Sequence, residues 1–353
     1  MLPLRVKNLV GLATRPRPAV GSTPHTVVWA ENKWRLLRYD ARPEGLAHRT
    51  PVLLLPSLIN RHYVLDLLPD KSLAGYLVAQ GFDVFCVDWG TPGPEDRFLG
   101  LADIDRYLGR AARVTARLGG RPPHALGYCM GGTLAIVHAA LHPQRFASLA
   151  VMAAPVRFDG EGVLGAWTRA RRFDVDALVD AMGNVPWQIL QASFHMLRPT
   201  LNLAKAVNLV DRAWNDRYLD GFLALETWAN DNVSLPGEFY RSWLKDFYQA
   251  DLLDKGELLV DGHLADLGAI TIPTLAISFE HDSIAPAETC ELLVERVASA
   301  DKDAKRLPGS HIGGTTSSAA AKSLWPLLAS WWAARDGAPT KSERLRAPQE
   351  RPQ

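Results

Sequence analysis

The 353-residue sequence predicts an α/β fold, in which a mainly parallel β-sheet is flanked by helices. Two short apolar runs, at residues 51–59 and 82–89, have the length and composition of buried strands, and a helical stretch at 72–80 separates them. A strand, a helix and a second strand in this order form the unit from which parallel sheets are built. Residues 26–39 supply one or two edge strands ahead of this unit.

The same alternation occurs in two further parts of the chain. The first predicts a helix, a strand, a helix and a strand, at 101–118, 124–128, 131–141 and 146–154. The second predicts a strand, a helix and a final amphipathic helix, at 272–279, 287–298 and 323–334. Between them the pattern becomes helical and aromatic, with Trp167, Trp187, Trp214, Trp228 and Trp243. We interpret this interruption as a cap inserted into the core.

These boundaries divide the chain into five expected segments. They are an N-terminal arm with edge strands (1–44), the first part of the core (45–155), the inserted and mostly helical cap (156–267), the second part of the core (268–335) and a disordered tail (336–353). The tail is polar and rich in proline, which is the composition of a disordered segment. Both ends of the chain therefore build the core.

Composition limits the classes of function. Thirty-nine basic and 38 acidic residues give a net charge of +1, so no overall field attracts nucleic acid. Three scattered cysteines, at 86, 129 and 290, form neither a disulfide framework nor a metal-binding pattern, which indicates a reducing, cytoplasmic environment. We expect no metal site and no secretory signal. We also expect no membrane span, because polar residues interrupt every apolar stretch before it reaches 18 residues.

The motif Gly-Tyr-Cys-Met-Gly-Gly at 127–132 carries the strongest chemical signal. It lies between a predicted buried strand and a helix of small residues. In this setting a strained turn holds the central side chain clear of the sheet as a nucleophile, and the glycines on either side allow close packing. We therefore predict that Cys129 is the nucleophile of an α/β-hydrolase fold. Cys86 and Cys290 lack such a turn and are expected to be packing residues.

A thiol nucleophile requires a base, and in this fold the chain order is nucleophile, acid, histidine. Asp282 follows the predicted strand at 272–279, and His311 lies in a glycine-flanked loop before the last helix. Both positions fit the required order. Oxyanion stabilisation is expected from two backbone amides, that of Met130 and one near Ile59, in the loop after the first core strand.

The identity of the nucleophile bears on the reaction. An acyl group held on a thiol keeps the reactivity of a thioester, so its transfer to an alcohol to form an ester is downhill. Cysteine therefore favours acyl transfer from a thioester to a hydroxyl over plain ester hydrolysis. Cysteine hydrolases of this fold exist, so the residues alone leave both reactions open.

A series of motifs in order resembles the polyhydroxyalkanoate synthases, in particular the catalytic subunit of the short, two-subunit class III type. The resemblance runs from about residue 51 to about residue 326. Its elements are PSLINRHYVLDLLPDKSLAGYLVAQGFDVFCVDWGTP, GYCMGG, WANDNVSLPGEFYRSWLKDFYQADLLDKGEL, LADLGAITIPTL, HDSIAP and GSHIGG.

The resemblance implies that Cys129 carries the growing chain as a thioester and that His311 activates Cys129. In that family the aspartate that matches Asp282 is assigned to activation of the substrate's 3-hydroxyl, so orientation of His311 and substrate activation both remain open for it. The substrate would be an (R)-3-hydroxyacyl-coenzyme A, chiefly 3-hydroxybutyryl-coenzyme A, and the products polyester and free coenzyme A. No bound cofactor is implied.

The resemblance also implies partners. The length agrees with the short type, because the longer synthases carry a large N-terminal domain. Enzymes of the short type work with a second, non-catalytic subunit, often on polyester granules, and whether the chain also forms a homodimer stays open. We expect the tryptophans of the cap to be packing residues more than a substrate wall, and the scattered ones to give an apolar face for these partners.

The sequence departs from the family pattern near the oxyanion loop and the histidine. The usual second proline is Ser57, the usual lysine after Asn60 is Arg61, and Ser310 replaces a glycine. Asp231 in the WANDN stretch is interpreted either as a functional residue or as a helix-capping turn residue, and the second interpretation is favoured.

Two alternatives to the polyester synthase remain. One is a cysteine hydrolase or depolymerase that transfers the acyl group to water. The other is an inactive, granule-associated scaffold, which the complete set of Cys129, Asp282 and His311 disfavours.

Overall fold

The computed structural model describes residues 2–159, 163–170, 173–197 and 201–337. Ten strands form one large and one small sheet within this part of the chain: β1 (His25–Glu31), β2 (Trp34–Tyr39), β3 (Val52–Leu55), β4 (Val84–Asp88), β5 (His124–Tyr128), β6 (Ser148–Met152), β7 (Leu259–Val260), β8 (His263–Leu264), β9 (Thr274–Phe279) and β10 (Lys302–Leu307). The large sheet has the order β1-β2-β4-β3-β5-β6-β9-β10, and β7 pairs with β8.

The α-helices follow the strands in the alternation that the sequence predicts. They are α1 (Leu2–Gly11), α2 (Leu73–Ala79), α3 (Leu101–Gly119), α4 (Met130–Leu141), α5 (Val163–Thr168), α6 (Val175–Met182), α7 (Trp187–Leu197), α8 (Leu201–Arg212), α9 (Asp216–Asn230), α10 (Gly237–Ser242), α11 (Leu252–Lys255), α12 (Ala287–Glu291), α13 (Leu293–Arg296), α14 (Gly313–Thr316) and α15 (Leu324–Ala333). A π-helical turn, Trp243–Gln249, continues α10. No helix in the described residues is long and apolar enough to cross a membrane.

The central strands are apolar on both faces because both faces of the sheet are covered. In β3, Leu53 and Leu55 join the apolar cluster on one side of the sheet, whereas Val52 and Leu54 join the cluster on the other side. This division follows the two-residue period of a strand. In the large sheet, the six neighbouring strands β4, β3, β5, β6, β9 and β10 pair in parallel, as predicted.

The predicted edge strands at residues 26–39 are confirmed as the antiparallel pair β1 and β2, and β2 then pairs antiparallel with β4. The turn between β1 and β2 contains Asn32 at a positive φ of 53°. Asparagine tolerates this backbone conformation better than most residues, so a tight turn forms here without glycine.

The chain between β6 and β9 contains α5 to α11 and the small β7–β8 hairpin. Two of its tryptophans, Trp228 and Trp243, are buried, with 5% and 6% of their surface exposed. The expected apolar face is therefore not built from these side chains, although Trp214 is 41% exposed. The division of the chain into domains stays a prediction.

Near the C-terminus the sequence analysis misses one strand and predicts one helix wrongly. Strand β10 was missed, because its sequence KDAKRL carries few β-branched or aromatic residues and its side chains are mostly exposed. The helix predicted at 287–298 is two shorter helices, α12 and α13. At the first residue of the expected tail, the Asp336 carboxylate accepts hydrogen bonds from the amides of Arg49 and Thr50 at 2.9 and 2.7 Å. Residues 338–353 lie outside the described residues.

Candidate active site

Cys129 occupies the turn between the buried strand β5 and helix α4. Its backbone has φ of 56° and ψ of −130°, a conformation that non-glycine residues rarely adopt and that costs about 1–3 kcal/mol. The Cys129 amide donates a hydrogen bond to the carbonyl of Met152 in the neighbouring strand, at 2.9 Å. The sheet therefore holds the strained turn, and Cys129 is half-buried at its tip.

The glycines on either side of this turn are required by close backbone contacts. A β-carbon on Gly131 would lie 2.2 Å from the carbonyl oxygen of Pro56, and one on Gly127 would lie 2.4 Å from the Cα of Gly132. Both distances are far inside van der Waals contact. Helix α4 can therefore begin directly against strand β3 only because these positions lack side chains.

His311 and Asp282 meet after the ends of two adjacent parallel strands. Asp282 follows β9 and His311 follows β10, so the strand that the sequence analysis missed is the one that delivers the histidine. Nδ1 of His311 lies 2.7 Å from Oδ2 of Asp282. The Asp282 side chain is fully buried, and its Oδ1 accepts hydrogen bonds from the amides of Ile284 and Ala285, both at 2.9 Å.

The charge state of His311 is set by competing effects. Burial favours the neutral imidazole, but the negative charge of Cys129 and the hydrogen bond to Asp282 outweigh burial. Together they raise the pKa of His311 from 6.5 to about 10. Because Nδ1 of His311 is hydrogen-bonded to Asp282, the ring nitrogen that interacts with Cys129 is Nε2. The protonation state of His311 therefore depends on both Cys129 and Asp282.

The other cysteines differ sharply from Cys129. Cys86 and Cys290 are both buried, and burial raises the pKa of each thiol well above its usual value. They remain protonated and inert, as expected from the lack of an elbow around them.

Tyr128 supports the position of His311, and the sequence analysis missed this role. Its hydroxyl donates a hydrogen bond to the carbonyl of His311 at 3.1 Å, and the two rings lie 5.4 Å apart. The residue immediately before the nucleophile therefore fixes the loop that carries the base. Its position directly before Cys129 indicated that it lies near the site, but its contact with His311 becomes visible only in the folded structure.

The two predicted oxyanion amides have different surroundings. The Met130 amide begins α4 and has no hydrogen-bond acceptor among the described residues, as the first amides of a helix commonly lack one. The Ile59 amide instead donates a long hydrogen bond of 3.4 Å to Oγ of Ser57. The hydroxyl of Ser57 therefore occupies the Ile59 amide, which the sequence analysis did not foresee.

Asp231 has a different contact from the one expected. It lies at the C-terminal end of α9, but its side chain does not cap that helix. The carboxylate accepts hydrogen bonds from Nε of Arg61 at 3.0 Å and from the hydroxyl of Tyr63 at 2.7 Å. The capping interpretation is confirmed for the backbone, since Asp231 is the C-cap residue of α9 and its amide donates to the carbonyl of Trp228 at 3.1 Å. Its carboxylate instead binds two donors from the loop after β3.

Asp105, His138 and His142 could hold a metal ion, since one ligand atom of each lies within 4.8 Å of the others. His138 lies about 12 Å along α4 from Met130, at about 1.5 Å per residue. Burial lowers the pKa of His138, and its Nδ1 lies 2.7 Å from Oδ1 of Asp105. A neutral His138 imidazole can donate from Nδ1 to this carboxylate, and its Nε2 is buried without a partner among the described residues.

Comparison with known proteins agrees with the geometry. Residues 50–311 match the family described as alpha/beta hydrolase fold. A soluble variant of monoglyceride lipase from Saccharomyces cerevisiae superimposes with a TM-score of 0.59 at 13% identity, covering 92% of this chain and all of the lipase. Monoacylglycerol lipase of Paleococcus ferrophilus gives 0.54 at 18% identity, covering 85% and 99%. The chain is a member of the α/β-hydrolase superfamily.

Sequence relatives define the family within this class. Residues 18–77 match the family described as the N-terminus of poly-beta-hydroxybutyrate polymerase (PhaC). The chain is 36% identical over 317 residues to poly(3-hydroxyalkanoate) polymerase subunit PhaC of Allochromatium vinosum, covering 88% of both chains. It is 35% identical to that of Synechocystis sp., covering 94% and 89%. It is 37% identical to the poly(3-hydroxyalkanoate) polymerase subunit PhaC of Haloferax mediterranei, and the match covers 90% of this chain and 65% of the relative. The chain belongs to the poly(3-hydroxyalkanoate) polymerase subunit family.

Proposed function

We propose that this poly(3-hydroxyalkanoate) polymerase, an acyltransferase, builds polyester from (R)-3-hydroxyacyl-coenzyme A through a thioester on Cys129. The supporting observation is the set of Cys129 in a strained elbow, His311 with a pKa of about 10 and a buried Asp282 bonded to His311. The family of the chain supplies the class of product. Cys129 in the elbow, together with His311 and Asp282, supports the proposed thioester mechanism.

Acylation of Cys129 is the first step. The thiolate attacks the carbonyl carbon of the substrate thioester, and the carbonyl oxygen becomes an oxyanion that accepts hydrogen bonds from the Met130 amide and the loop of Ile59. The intermediate then collapses, the bond to the coenzyme A sulfur breaks, and His311 protonates the departing coenzyme A thiolate. The acyl group is left on Cys129, and His311 is neutral.

Chain extension uses the neutral His311. Nε2 takes the proton from the 3-hydroxyl of an incoming hydroxyacyl-coenzyme A, and the oxygen attacks the thioester on Cys129. An ester forms, the Cys129 thiolate leaves, and the extended chain is a coenzyme A thioester that can acylate Cys129 again with release of coenzyme A. Each round converts a thioester to an ester, which is downhill.

Asp282 acts through His311 in this scheme. Both of its oxygens are already engaged, one by His311 and one by two amides, and its side chain has no exposed surface. A substrate hydroxyl therefore reaches His311 before it could reach Asp282. This favours the role of orienting the imidazole over that of a second base.

The polyester surface is the proposed location of the enzyme, within the cytoplasm. Helices α1 and α8 pack together, with Arg5 bonded to Asp211 at 3.2 Å. Apolar side chains of this helix pair and of the turn after α8 are 41–78% exposed. We define them as the α1–α8 face: Leu4, Val6, Val10, Val207, Val210 and Trp214. A polyester is a neutral, apolar solid, so a surface with several exposed apolar side chains suits it.

Substitutions Val10→Asp and Val207→Asp test this location, with Val27→Asp on the exposed edge strand as a matched control. We expect the first two to reduce co-sedimentation with polyester particles and to leave coenzyme A release from dissolved substrate unchanged. Equal sedimentation of all three variants would contradict the assignment. Loss of binding to a co-purified second subunit, with sedimentation retained, would instead assign the face to that subunit, which we propose as the protein partner.

The activity itself is tested with (R)-3-hydroxybutyryl-coenzyme A. We expect the protein to release coenzyme A and form high-mass polyester, with a larger rate when a second subunit is present, and the Cys129→Ala variant to do neither. Release of free 3-hydroxybutyrate without polymer would identify a hydrolase. Coenzyme A release by Cys129→Ala at the normal rate would remove Cys129 from the mechanism.

A further inference from the structure

The loop after β3 is held from outside the core by one short segment at the end of α9. We call residues 57–63 the oxyanion loop and residues 228–233 the clamp segment. Backbone and side chains both connect them. The Val233 amide donates to the carbonyl of Ile59 at 3.1 Å, and the indole of Trp228 donates to the carbonyl of Arg61 at 3.0 Å.

The side chains extend this connection along the whole loop. Asn60 and Asn232 are joined by a side-chain hydrogen bond and by an isolated β-bridge. The carboxylate of Asp231 accepts from Arg61 and from Tyr63. Burial raises the pKa of Tyr63, and the hydrogen bond to Asp231 raises it further, so the phenol keeps its proton and remains a donor.

On its other side the oxyanion loop meets the core through fewer bonds. The indole of Trp89 donates to the carbonyl of Pro56 at 2.9 Å, at the start of the loop. Nδ1 of His62 lies 3.4 Å from Oδ1 of Asp88. The side chains of Leu58 and Ile59 are buried in the apolar core, but the polar contacts of Ile59, Asn60 and Arg61 with the rest of the chain are mainly with the clamp segment.

We propose that Asp231 is a positioning residue that sets the Ile59 amide for the oxyanion, so that oxyanion stabilisation depends on the seating of the clamp segment. The inference rests on the proposed function. Asp231 is suited to this task because one carboxylate joins two loop side chains, one of them cationic, and charge-assisted hydrogen bonds are directional. Displacement of the amide by about 1 Å lowers the rate, because oxyanion donors act only over hydrogen-bonding distance.

The Asp231→Ala variant tests the proposal. The Arg61 to Asp231 pair is partly exposed, with side chains 27% and 41% accessible, so its loss should change the melting temperature little. We expect the first-turnover rate of coenzyme A release at saturating substrate to fall about 10- to 100-fold, less than the loss of a whole oxyanion donor. KM should change less than about threefold, because the substrate ground state does not use the oxyanion amides. Rates are normalised to the number of Cys129 thiols that react with iodoacetamide.

Asp220→Ala is the matched control. Asp220 lies in the same helix and also binds an arginine, Arg15, at 2.8 Å, but it does not touch the oxyanion loop. We expect this variant to keep the rate of the unchanged protein. Asp231→Asn, which keeps an acceptor for Tyr63, should recover part of the rate.

Two results would overturn the proposal. One is a normal first-turnover rate in Asp231→Ala while Cys129→Ala is inactive, which leaves the proposed function standing. The other is a rate loss in Asp231→Ala that disappears after normalisation to reactive Cys129, which indicates a folding role. Full activity of Cys129→Ala would instead remove the proposed function itself.

Discussion

The two sides of Cys129 are built in different ways. On the acid–base side, Asp282 and His311 follow adjacent strands of one sheet, and their contacts are with the core: two amides, each other and Tyr128. On the oxyanion side, the loop of Ile59 is joined to residues 228–233, which belong to the chain inserted between β6 and β9. Proton transfer is thus organised by the core, whereas part of the transition-state stabilisation depends on the insertion.

This difference has a mechanistic consequence. The hydrogen bonds that hold the acid–base pair are made within the core, so we expect Cys129 to remain poised between turnovers. Oxyanion stabilisation is complete only when the insertion is seated against the core. Substitutions of the acid–base residues should therefore lower the reaction rate strongly, whatever the state of the insertion. Substitutions on the oxyanion side should change the rate less.

The largest effect is expected from His311→Gln, which removes the proton acceptor and donor but keeps a polar side chain. We expect coenzyme A release to fall by about 10³- to 10⁴-fold, because both steps of the reaction pass a proton through this imidazole. Steady-state assays of coenzyme A release measure the loss. A decrease of less than tenfold would show that the acid–base side is not organised around His311.

Asp282→Asn should have the next largest effect. Asparagine can still accept from the amides of Ile284 and Ala285, so the turn is kept, but it removes the charge beside Nδ1 of His311. We expect a fall of about 10²- to 10³-fold in kcat with little change in KM, since the imidazole loses its orientation and its stabilised cation. A change in KM alone would point to a substrate contact for Asp282 instead.

The titration of His311 sharpens the comparison on its core side. In the unaltered protein the cation should persist to a pH of about 10. In Cys129→Ala, burial is opposed by Asp282 alone, so the pKa should fall by about one unit or more. Histidine-labelled NMR, with His311→Gln to assign the signal, measures both values. An unchanged pKa in Cys129→Ala would show that the two groups are not coupled.

The same shift affects folding stability. A histidine whose pKa is raised on folding stabilises the protein fully below its unfolded pKa of 6.5, and this stabilisation is lost as the pH rises to about 10. Cys129→Ala should therefore become relatively more stable, compared with the unaltered protein, as the pH rises through this window. Urea unfolding at pH 6 and pH 9.5 measures the difference.

The smallest effect is expected on the oxyanion side, from Ser57→Ala. The Ser57 hydroxyl competes for the Ile59 amide through a long hydrogen bond of 3.4 Å. A charged oxyanion is a much better acceptor than a neutral hydroxyl, so removal of the competitor should raise the acylation rate by only about twofold. A substantial decrease would show that Ser57 supports the loop instead of occupying its amide.

The elbow could be predicted from sequence because its requirements are local. The strand at 124–128, the glycines around Cys129 and the following helix are adjacent in the chain, and each is needed for a physical reason that the residue types reveal. The order of Asp282 and His311 was likewise visible. Their approach to 2.7 Å was not, because it depends on β10, an exposed edge strand with weak strand propensity.

The contacts of the inserted chain were beyond sequence reasoning. Asp231 and Arg61 are 170 residues apart, and an aspartate after a helix has the same local pattern whether it caps that helix or binds elsewhere. The occupation of the Ile59 amide by Ser57 was also hidden, although the serine itself had been noticed as a departure. Local patterns identify residue types, and long-range pairing decides what their polar atoms contact.

The most direct test of the account is to locate the acyl group. The protein is incubated with (R)-3-hydroxybutyryl-coenzyme A, quenched in acid, digested and analysed by mass spectrometry. We expect 3-hydroxybutyryl units, as thioesters released by hydroxylamine, on the peptide that contains Cys129, and unmodified Cys86 and Cys290. Polymer formation with the Cys129 peptide unmodified at every time point, or acylation of a different residue, would contradict the account.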